Sequence, residues 1–93
     1  MPFEWDETKA QANLVKHGVA FAEAEAVFDD PLAAIFDDEW HSISERREII
    51  IGHDRTHRLL LVCFTERNGT IRIISARLTT SKERRDYEEH TGF

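Results

Sequence analysis

The spacing of apolar residues divides the chain into a first half with helical periodicity and a second half of strand-like runs. Ala10 and Leu14 share one helical face in the first half, at positions i and i+4. Asp6 is suited to the N-cap, and Gly18 is suited to the left-handed residue that follows a last helical turn. The pattern therefore predicts a helix over about residues 7–17.

A second, shorter helix is predicted over about residues 21–28. It ends at an Asp-Asp-Pro sequence, because the residue before a proline disfavours the α region. The short apolar run at residues 32–36 is a strand candidate. Phe3 and Trp5 alternate with polar residues, so we expect them to form only a short extended lead-in. The apolar side of the second helix carries Phe21, Ala24, Val27 and Phe28.

The second half of the chain is rich in β-branched and aromatic residues, which favour strands. Strands are predicted over residues 47–52 and 58–67. The dipeptide Asn68-Gly69 is typical of a two-residue hairpin turn, so residues 70–77 should return beside the preceding strand. Thr80 and the acid three residues later form a capping box for a final helix.

The final helix should cover about residues 81–90, with Tyr87 as its only large apolar contact. The order helix, helix, strand, strand, hairpin, helix predicts the α+β class in one domain over residues 1–93. Because the strands are consecutive and closely connected, we expect two N-terminal helices packed on a four-stranded antiparallel sheet, followed by the C-terminal helix.

Regular pairing outward from the hairpin turn sets Cys63 opposite Ile74 and Leu60 opposite Arg77. The two faces of the hairpin then differ in polarity. The larger apolar face, which should meet the helices, carries Leu60, Val62, Phe64, Ile71 and Ile73, with Glu66 and Arg77 at its ends. The other face carries Leu61, Cys63, Ile74 and Ala76, with Thr65, Arg67, Thr70 and Arg72 near the turn.

Charge is distributed unevenly along the chain, whose formal net charge is −6. Residues 1–45 hold 2 lysines and 11 acids, whereas residues 46–85 hold 10 basic residues and 4 acids. Such asymmetry indicates a polyanion or an acidic partner, unless the two halves neutralise each other in the fold. No apolar run reaches the roughly 18 residues of a membrane span, and the first residues do not read as a signal peptide.

The basic residues are mostly arginine, with nine arginines to three lysines. Guanidinium forks match phosphate oxygens bidentately and stay charged at any cellular pH. Arg47 and Arg77 stand at the ends of apolar strands and are the best phosphate-binding candidates, although pairing with acids in a solvated network is the alternative. The single cysteine, Cys63, lies in an apolar run and suits a buried position in a reducing cytoplasm.

Six segments in order along the chain resemble the BrnT family of type II toxins, which have a RelE-like fold. One departure is Ala20, where relatives often carry a hydroxyl residue that would cap the second helix. The segments are FEWDETK, NLVKHGVAF, VFDDP, RREIIIG, TERNGTIRIISAR and KERRDYE.

The resemblance implies a ribonuclease that cuts RNA and arrests translation. It also implies a BrnA-like antitoxin with a ribbon-helix-helix part, expected in a 2:2 complex that represses its own operon. Operator DNA would be contacted only through the antitoxin.

Metal-independent RNA cleavage needs a proton acceptor for the 2′-OH and cations for the charge that grows on the phosphate. We expect Arg47 and Arg77 to clamp the phosphate. His17 is the best proton-transfer candidate by residue type, and Glu66 is the second. His17 capping a helix end, and Glu66 pairing with an arginine, are the alternatives. Further RNA contacts are expected from Lys16, Trp40, Arg67 and Arg72, of which Trp40 is as well suited to packing over the sheet edge.

No cofactor or metal is expected. His53 and His57 are four apart, as in helical metal sites, but they lie in a turn between strands. Two rival functions remain open at this point. One is a catalytically inactive module that only holds or co-represses with a partner. The other is DNA binding by the final helix, whose acids would repel phosphate along much of its length.

Overall fold

A computed structural model describes residues 1–38 and 45–92 of the chain. Its single sheet has the strand order β1-β5-β4-β3-β2. No described helix is long and apolar enough to cross a membrane. The elements are β1 Phe3–Glu4, α1 Glu7–His17, α2 Phe21–Ala24, a 3₁₀ helix Glu25–Asp29, β2 Ala34–Asp37, β3 Glu48–His53, β4 Leu59–Arg67, β5 Thr70–Leu78 and α3 Ser81–Thr91.

α1 begins and ends at the residues that the sequence predicts, and α3 begins as predicted and ends one residue later. The Asp6 carboxylate accepts a hydrogen bond from the backbone N–H of Lys9 at 3.0 Å, and Gly18 takes the left-handed conformation with φ of 69°. The second predicted helix is instead a four-residue α2 that tightens into the 3₁₀ helix. Ala20 cannot cap α2 with its side chain, but the Glu23 carboxylate accepts from the Ala20 N–H at 2.9 Å.

The expectation of a four-stranded antiparallel sheet is wrong in two respects, because the sheet formed by the described residues has five strands and one pair is parallel. The lead-in at Phe3 forms β1, which pairs with β5 through Phe3 opposite Ile71 and Glu4 opposite Arg72. Two residues give too short a pattern to identify a strand, and the partner lies far along the chain. The coarser α+β class is confirmed.

Helices cover both faces of the sheet. The face under α1 and α2, here the inner face, includes Ile50, Val62 and Phe64 and packs on Phe21 and its neighbours. The opposite face, here the α3 face, carries a smaller apolar cluster closed by Tyr87. That cluster includes Ala34, Ile51, Leu59 and Leu61, with Phe36, Ile49 and Cys63 at its border.

A β-bulge in β5 changes the predicted hairpin register. The pairs next to the turn are as expected, but Cys63 lies opposite Ser75, so Ile74 is an extra residue without a partner. Beyond the bulge, Arg77 pairs with Leu61 rather than Leu60. The expected side assignments of Ala76 and Arg77 are therefore wrong. Ala76 is fully buried in the inner core, and Arg77 stands on the α3 face.

Asn13 of α1 forms hydrogen bonds with the edge of β5 beyond Arg72, where β1 no longer pairs with that strand. Its side-chain amide accepts from the Ala76 N–H at 3.1 Å and donates to the Ala76 carbonyl at 2.8 Å. The same Nδ2 donates to the Val19 carbonyl at 2.9 Å. The buried amide thus takes the place of a neighbouring strand and fixes the residue before Arg77.

Candidate nucleic-acid interface

Four arginines of the described chain lie on the α3 face or beside it. Strand alternation puts Arg67, Arg72 and Arg77 on this side, since they pair with Thr70, Thr65 and Leu61. Arg47 precedes β3. The charges of Arg47 and Arg77 both act on the Cys63 thiol, so both side chains lie within electrostatic range of that residue.

Arg77 is held by a bidentate ion pair with Glu83, in the first turn of α3. Its NH1 donates to Glu83 Oε1 and its NH2 donates to Glu83 Oε2, both at 2.8 Å. NH1 also donates to the Leu78 carbonyl at 3.2 Å. The Arg77 side chain remains 35% exposed. Hydrogen bonding from Arg77 holds the pKa of Glu83 at about 2, although burial opposes the shift.

Two further arginines of this face also contact carboxylates. Arg67 donates to both oxygens of Glu45, through Nε at 2.9 Å and NH2 at 2.8 Å, and these bonds lower the Glu45 pKa. Arg72 lies 3.5 Å from Glu4 in the neighbouring strand, which is a longer and weaker contact. Three guanidinium groups are thus orientated by acids but remain partly open to solvent.

Backbone contacts on both sides fix the segment that carries Arg47. The Arg47 carbonyl accepts from the Asp38 N–H at 3.0 Å. The carbonyl of the preceding Arg46 accepts from the buried Thr65 hydroxyl at 2.7 Å. The Arg46 side chain pairs with the Asp37 carboxylate at 2.7 Å and is 73% exposed. Arg46 is therefore a neighbouring cation with a partner of its own.

Small polar groups lie between the arginines. Cys63 and Ser75 pair across β4 and β5, and both are partly buried. Burial raises the pKa of the Cys63 thiol, which therefore stays protonated at neutral pH. This part of the face offers positive charge and hydrogen bonding but no thiolate.

The acid–base candidates named from the sequence lie elsewhere. Lys16 and His17 occupy the last turn of α1, which packs on the inner face. Glu66 of β4 pairs with Ile71 and alternates with Thr65, so it too belongs to the inner side. The structure therefore separates these residues from the arginines. Trp40 lies outside the described residues.

The two histidines of the β3–β4 connection have separate surroundings. His53 Nδ1 lies 3.3 Å from Asp30 Oδ2. The His53 ring packs edge-on against the ring of Tyr87, with 6.0 Å between the two ring centroids. His57 is exposed in the turn with φ of 67°. Within residues 1–38 and 45–92, no group of three or more His, Cys, Asp or Glu side chains is placed to hold a metal ion.

Sequence reasoning recognised Glu83 only as a capping residue. The carboxylate does accept from the Thr80 N–H at 2.9 Å, as the capping box requires. Its pairing with Arg77 depends on the chain reversing between β5 and α3, which the capping pattern does not show. The signal in the sequence was an acid six residues after an arginine that ends an apolar strand.

Comparisons with known proteins agree with this architecture. The model of a family described as "Ribonuclease toxin, BrnT, of type II toxin-antitoxin system" matches residues 5–83. The crystal structure of the Brucella abortus ribonuclease toxin BrnT is similar with a TM-score of 0.69 and 27% identity. The match covers 87% of this chain and 99% of that one. No curated protein matches the chain.

Proposed function

The chain belongs to the BrnT family of ribonuclease toxins of type II toxin-antitoxin systems, and we propose that it cuts RNA on the arginine-bearing half of the α3 face. The β-bulge carries this proposal, because the register beyond it sets Arg77 on the same side as Arg67 and Arg72. Arginines from separate strands can contact successive phosphates, or one phosphate from two sides.

We propose that the substrate supplies its own nucleophile. The 2′-oxygen attacks the adjacent phosphorus, the bond to the 5′-oxygen breaks, and the products are a 2′,3′-cyclic phosphate and a 5′-hydroxyl. Guanidinium groups would stabilise the negative charge that develops on the phosphoryl oxygens. Arg77 and Arg47 would hold the reacting phosphate, and Arg67 and Arg72 would extend the path of the RNA.

In the proposed mechanism, proton transfer by protein side chains contributes less to the rate than the acid–base candidates in the sequence suggested. With a pKa of about 2, Glu83 is a weak base in its ion pair. His17, Lys16 and Glu66 are left out of the proposed site, because α1 and the inner side of β4 lie across the sheet from Arg77. Placement and charge would then supply most of the rate, without a metal ion.

Membership of a type II family implies a protein antitoxin as partner. We propose that this partner is BrnA-like, with a ribbon-helix-helix part that binds operator DNA, and that a 2:2 complex represses the operon. Released toxin would cut RNA in the cytoplasm and arrest translation. Co-purification with the product of an adjacent gene, followed by mass measurement of the complex, tests the partner and its stoichiometry.

The activity is tested with partner-free protein and RNA in the presence of EDTA. Wild-type protein should cleave RNA, and Arg77→Ala should lower kcat/KM at least about 100-fold while the protein still unfolds in a single cooperative transition. Arg46→Ala is the matched control, since it removes a neighbouring guanidinium that pairs with Asp37. A folded Arg77→Ala protein with full activity would remove Arg77 from the site.

The inactive binding module remains the second candidate. The carboxylates that already hold Arg67, Arg72 and Arg77 favour it, because a purely structural network has this form. The same assay separates the two candidates. A partner-free, folded protein that binds its antitoxin but never cleaves RNA is such a module.

A further inference from the structure

The Glu83 carboxylate binds the Arg77 guanidinium in the way that a phosphate would. Two carboxylate oxygens accept two parallel N–H bonds of 2.8 Å from the two terminal nitrogens of the guanidinium. This is the geometry in which arginine binds two oxygens of a phosphate. The carboxylate also carries the negative charge of such a ligand.

The first half of α3 is loosely seated apart from this pair. A groove of about 210 Å³ lies between it and the sheet, lined by apolar residues of three strands together with Glu83 and Asp86. The firm apolar contact comes later, from the buried Tyr87, whose hydroxyl donates to the Leu32 carbonyl at 3.1 Å. The Arg77–Glu83 pair and the cap at Thr80 therefore account for much of what holds the first turn in place.

We propose that Glu83 competes with the RNA phosphate for Arg77, so that single-stranded RNA binds as the carboxylate leaves and the first turn of α3 loosens. This inference rests on the proposed function and adds a built-in restraint to the same site. A carboxylate in direct contact with Arg77 offsets its charge and repels an approaching phosphate. RNA therefore gains from the departure of Glu83, and by linkage its binding must weaken the attachment of α3.

A carboxylate that merely positioned Arg77 would have the opposite effect on binding. Removing it would leave the guanidinium less ordered and would weaken the hold on RNA. The sign of the change in affinity therefore separates competition from positioning.

Glu83→Gln is the sharpest variant for this test. Glutamine serves as well as glutamate at the N3 position of a capping box, so the helix keeps its cap while Arg77 loses its anionic partner. The probe is a short single-stranded 2′-O-methyl RNA, which cannot be cut because the nucleophile is blocked. We expect Glu83→Gln to bind it about three- to tenfold more tightly than wild type.

Glu89→Gln is the matched control, because it makes the same charge change at an exposed position of α3. Its affinity should stay within about twofold of wild type. An equal gain in RNA affinity in both variants would show that the effect comes only from the change in net charge, and it would overturn the proposal. Unchanged or weaker binding by folded Glu83→Gln would also overturn it.

Hydrogen exchange supplies an independent readout. Saturating RNA should speed amide exchange in the first turns of α3 in the wild-type protein, and Glu83→Gln should show the faster exchange already without RNA. Protection of these amides that rises on RNA binding would overturn the proposal.

Arg77→Ala distinguishes a failure of the proposed phosphate site from a failure of the proposed competition by Glu83. If it binds RNA as tightly as wild type, the proposed phosphate site itself is wrong. If it loses RNA binding while Glu83→Gln gains none, the site stands and only the competition is wrong.

Discussion

Asn13 shows how much one side chain can do at the edge of a sheet. A carboxamide carries the same donor and acceptor as a peptide group, so it can satisfy both backbone groups of Ala76. Its third bond, to Val19, ties the end of α1 to the chain that follows it. The position of Arg77 therefore depends partly on a residue of α1.

Asn13→Ala should destabilise the protein by about 2–4 kcal/mol, because it leaves three buried backbone groups without partners. Urea unfolding of the two proteins measures this difference. Gln11→Ala is the control, since the exposed Gln11 amide makes only a 3.5 Å contact on the same helix, and its effect should stay within about 0.5 kcal/mol. Equal stability of wild type and Asn13→Ala would show that water replaces the amide at no cost.

For single residues, the type can be read from the sequence, but the face of the sheet on which the side chain lies cannot always be. The hairpin register was predicted correctly from the turn as far as Phe64 opposite Ile73. An extra residue in a strand leaves no clear mark in a run such as Ile73-Ile74, where both candidates are apolar. Arg77 does stand near the end of its strand, as the sequence predicts, but on the opposite face from the one expected.

The most informative element is α3, since its first turn carries the partner of Arg77. The sequence predicted its bounds closely because capping signals are local: Thr80 accepts from the Glu83 N–H, and Gly92 follows with φ of 81°. It gave no account of where the helix docks. Docking depends on Tyr87 reaching Leu32, and these residues are far apart in the chain.

Acid should weaken the attachment of α3. The folded pKa of Glu83, about 2, lies below its ordinary value of 4.5, so the carboxylate stabilises the fold above about pH 4.5 and loses this effect as the pH falls towards about 2. The loss should be on the order of 2 kcal/mol after allowance for the partial exposure of the pair. Urea unfolding at about pH 5 and about pH 3 measures the part of this loss that falls between the two pH values, as the excess pH dependence of wild type over Glu83→Gln. Parallel pH profiles of the two proteins would contradict this assignment.

Tyr87→Phe isolates the hydrogen bond of α3 from its apolar contact. It should cost about 1 kcal/mol, since only the bond to the Leu32 carbonyl is lost. Tyr87→Ala should cost about 3–5 kcal/mol, because the ring closes the cluster over Ile51 and Leu61. Thermal unfolding of both variants tests whether Tyr87→Ala costs more stability than Tyr87→Phe. Equal, small losses in both variants would show that the Tyr87 ring does not hold α3 on the sheet.

The other elements could be predicted well where nearby residues determine them, and poorly where distant residues do. α1 has a cap at each end and was predicted within a residue. β1 has only the alternation of Phe3 and Trp5 as a signal, and its partner lies in β5. The second helix was predicted from its apolar side, but that side does not distinguish an α-helix from the 3₁₀ turns of Glu25–Asp29.

For the whole molecule, the uneven charge distribution has two consequences at once. The acidic first half supplies Glu4 and Glu45, which pair with Arg72 and Arg67, so some of the asymmetry is neutralised within the fold. The arginines nevertheless share one face, as a polyanion partner requires. The sequence indicated both possibilities, and only tertiary structure shows that they coexist.

Salt should weaken RNA binding in proportion to the number of arginines engaged. Each contact with a phosphate of single-stranded RNA contributes about 0.7 to the slope of log affinity against log salt. Arg67→Ala and Arg72→Ala should each reduce the slope by about that amount, and Arg46→Ala should leave it unchanged. Titrations of 2′-O-methyl RNA at several salt concentrations give these slopes. Equal slopes for all four proteins would place the RNA elsewhere.

The pairing of β1 with β5 sets an order in time. Phe3 pairs with Ile71, so a growing polypeptide cannot complete its sheet until almost all of the described residues have been synthesised. The same holds for the arginines, since Arg77 lies on β5, which is the last strand among the described residues. If the protein cuts RNA as proposed, a chain that still lacks β5 is harmless, and the danger to the cell begins only after that strand has been made and has joined the sheet.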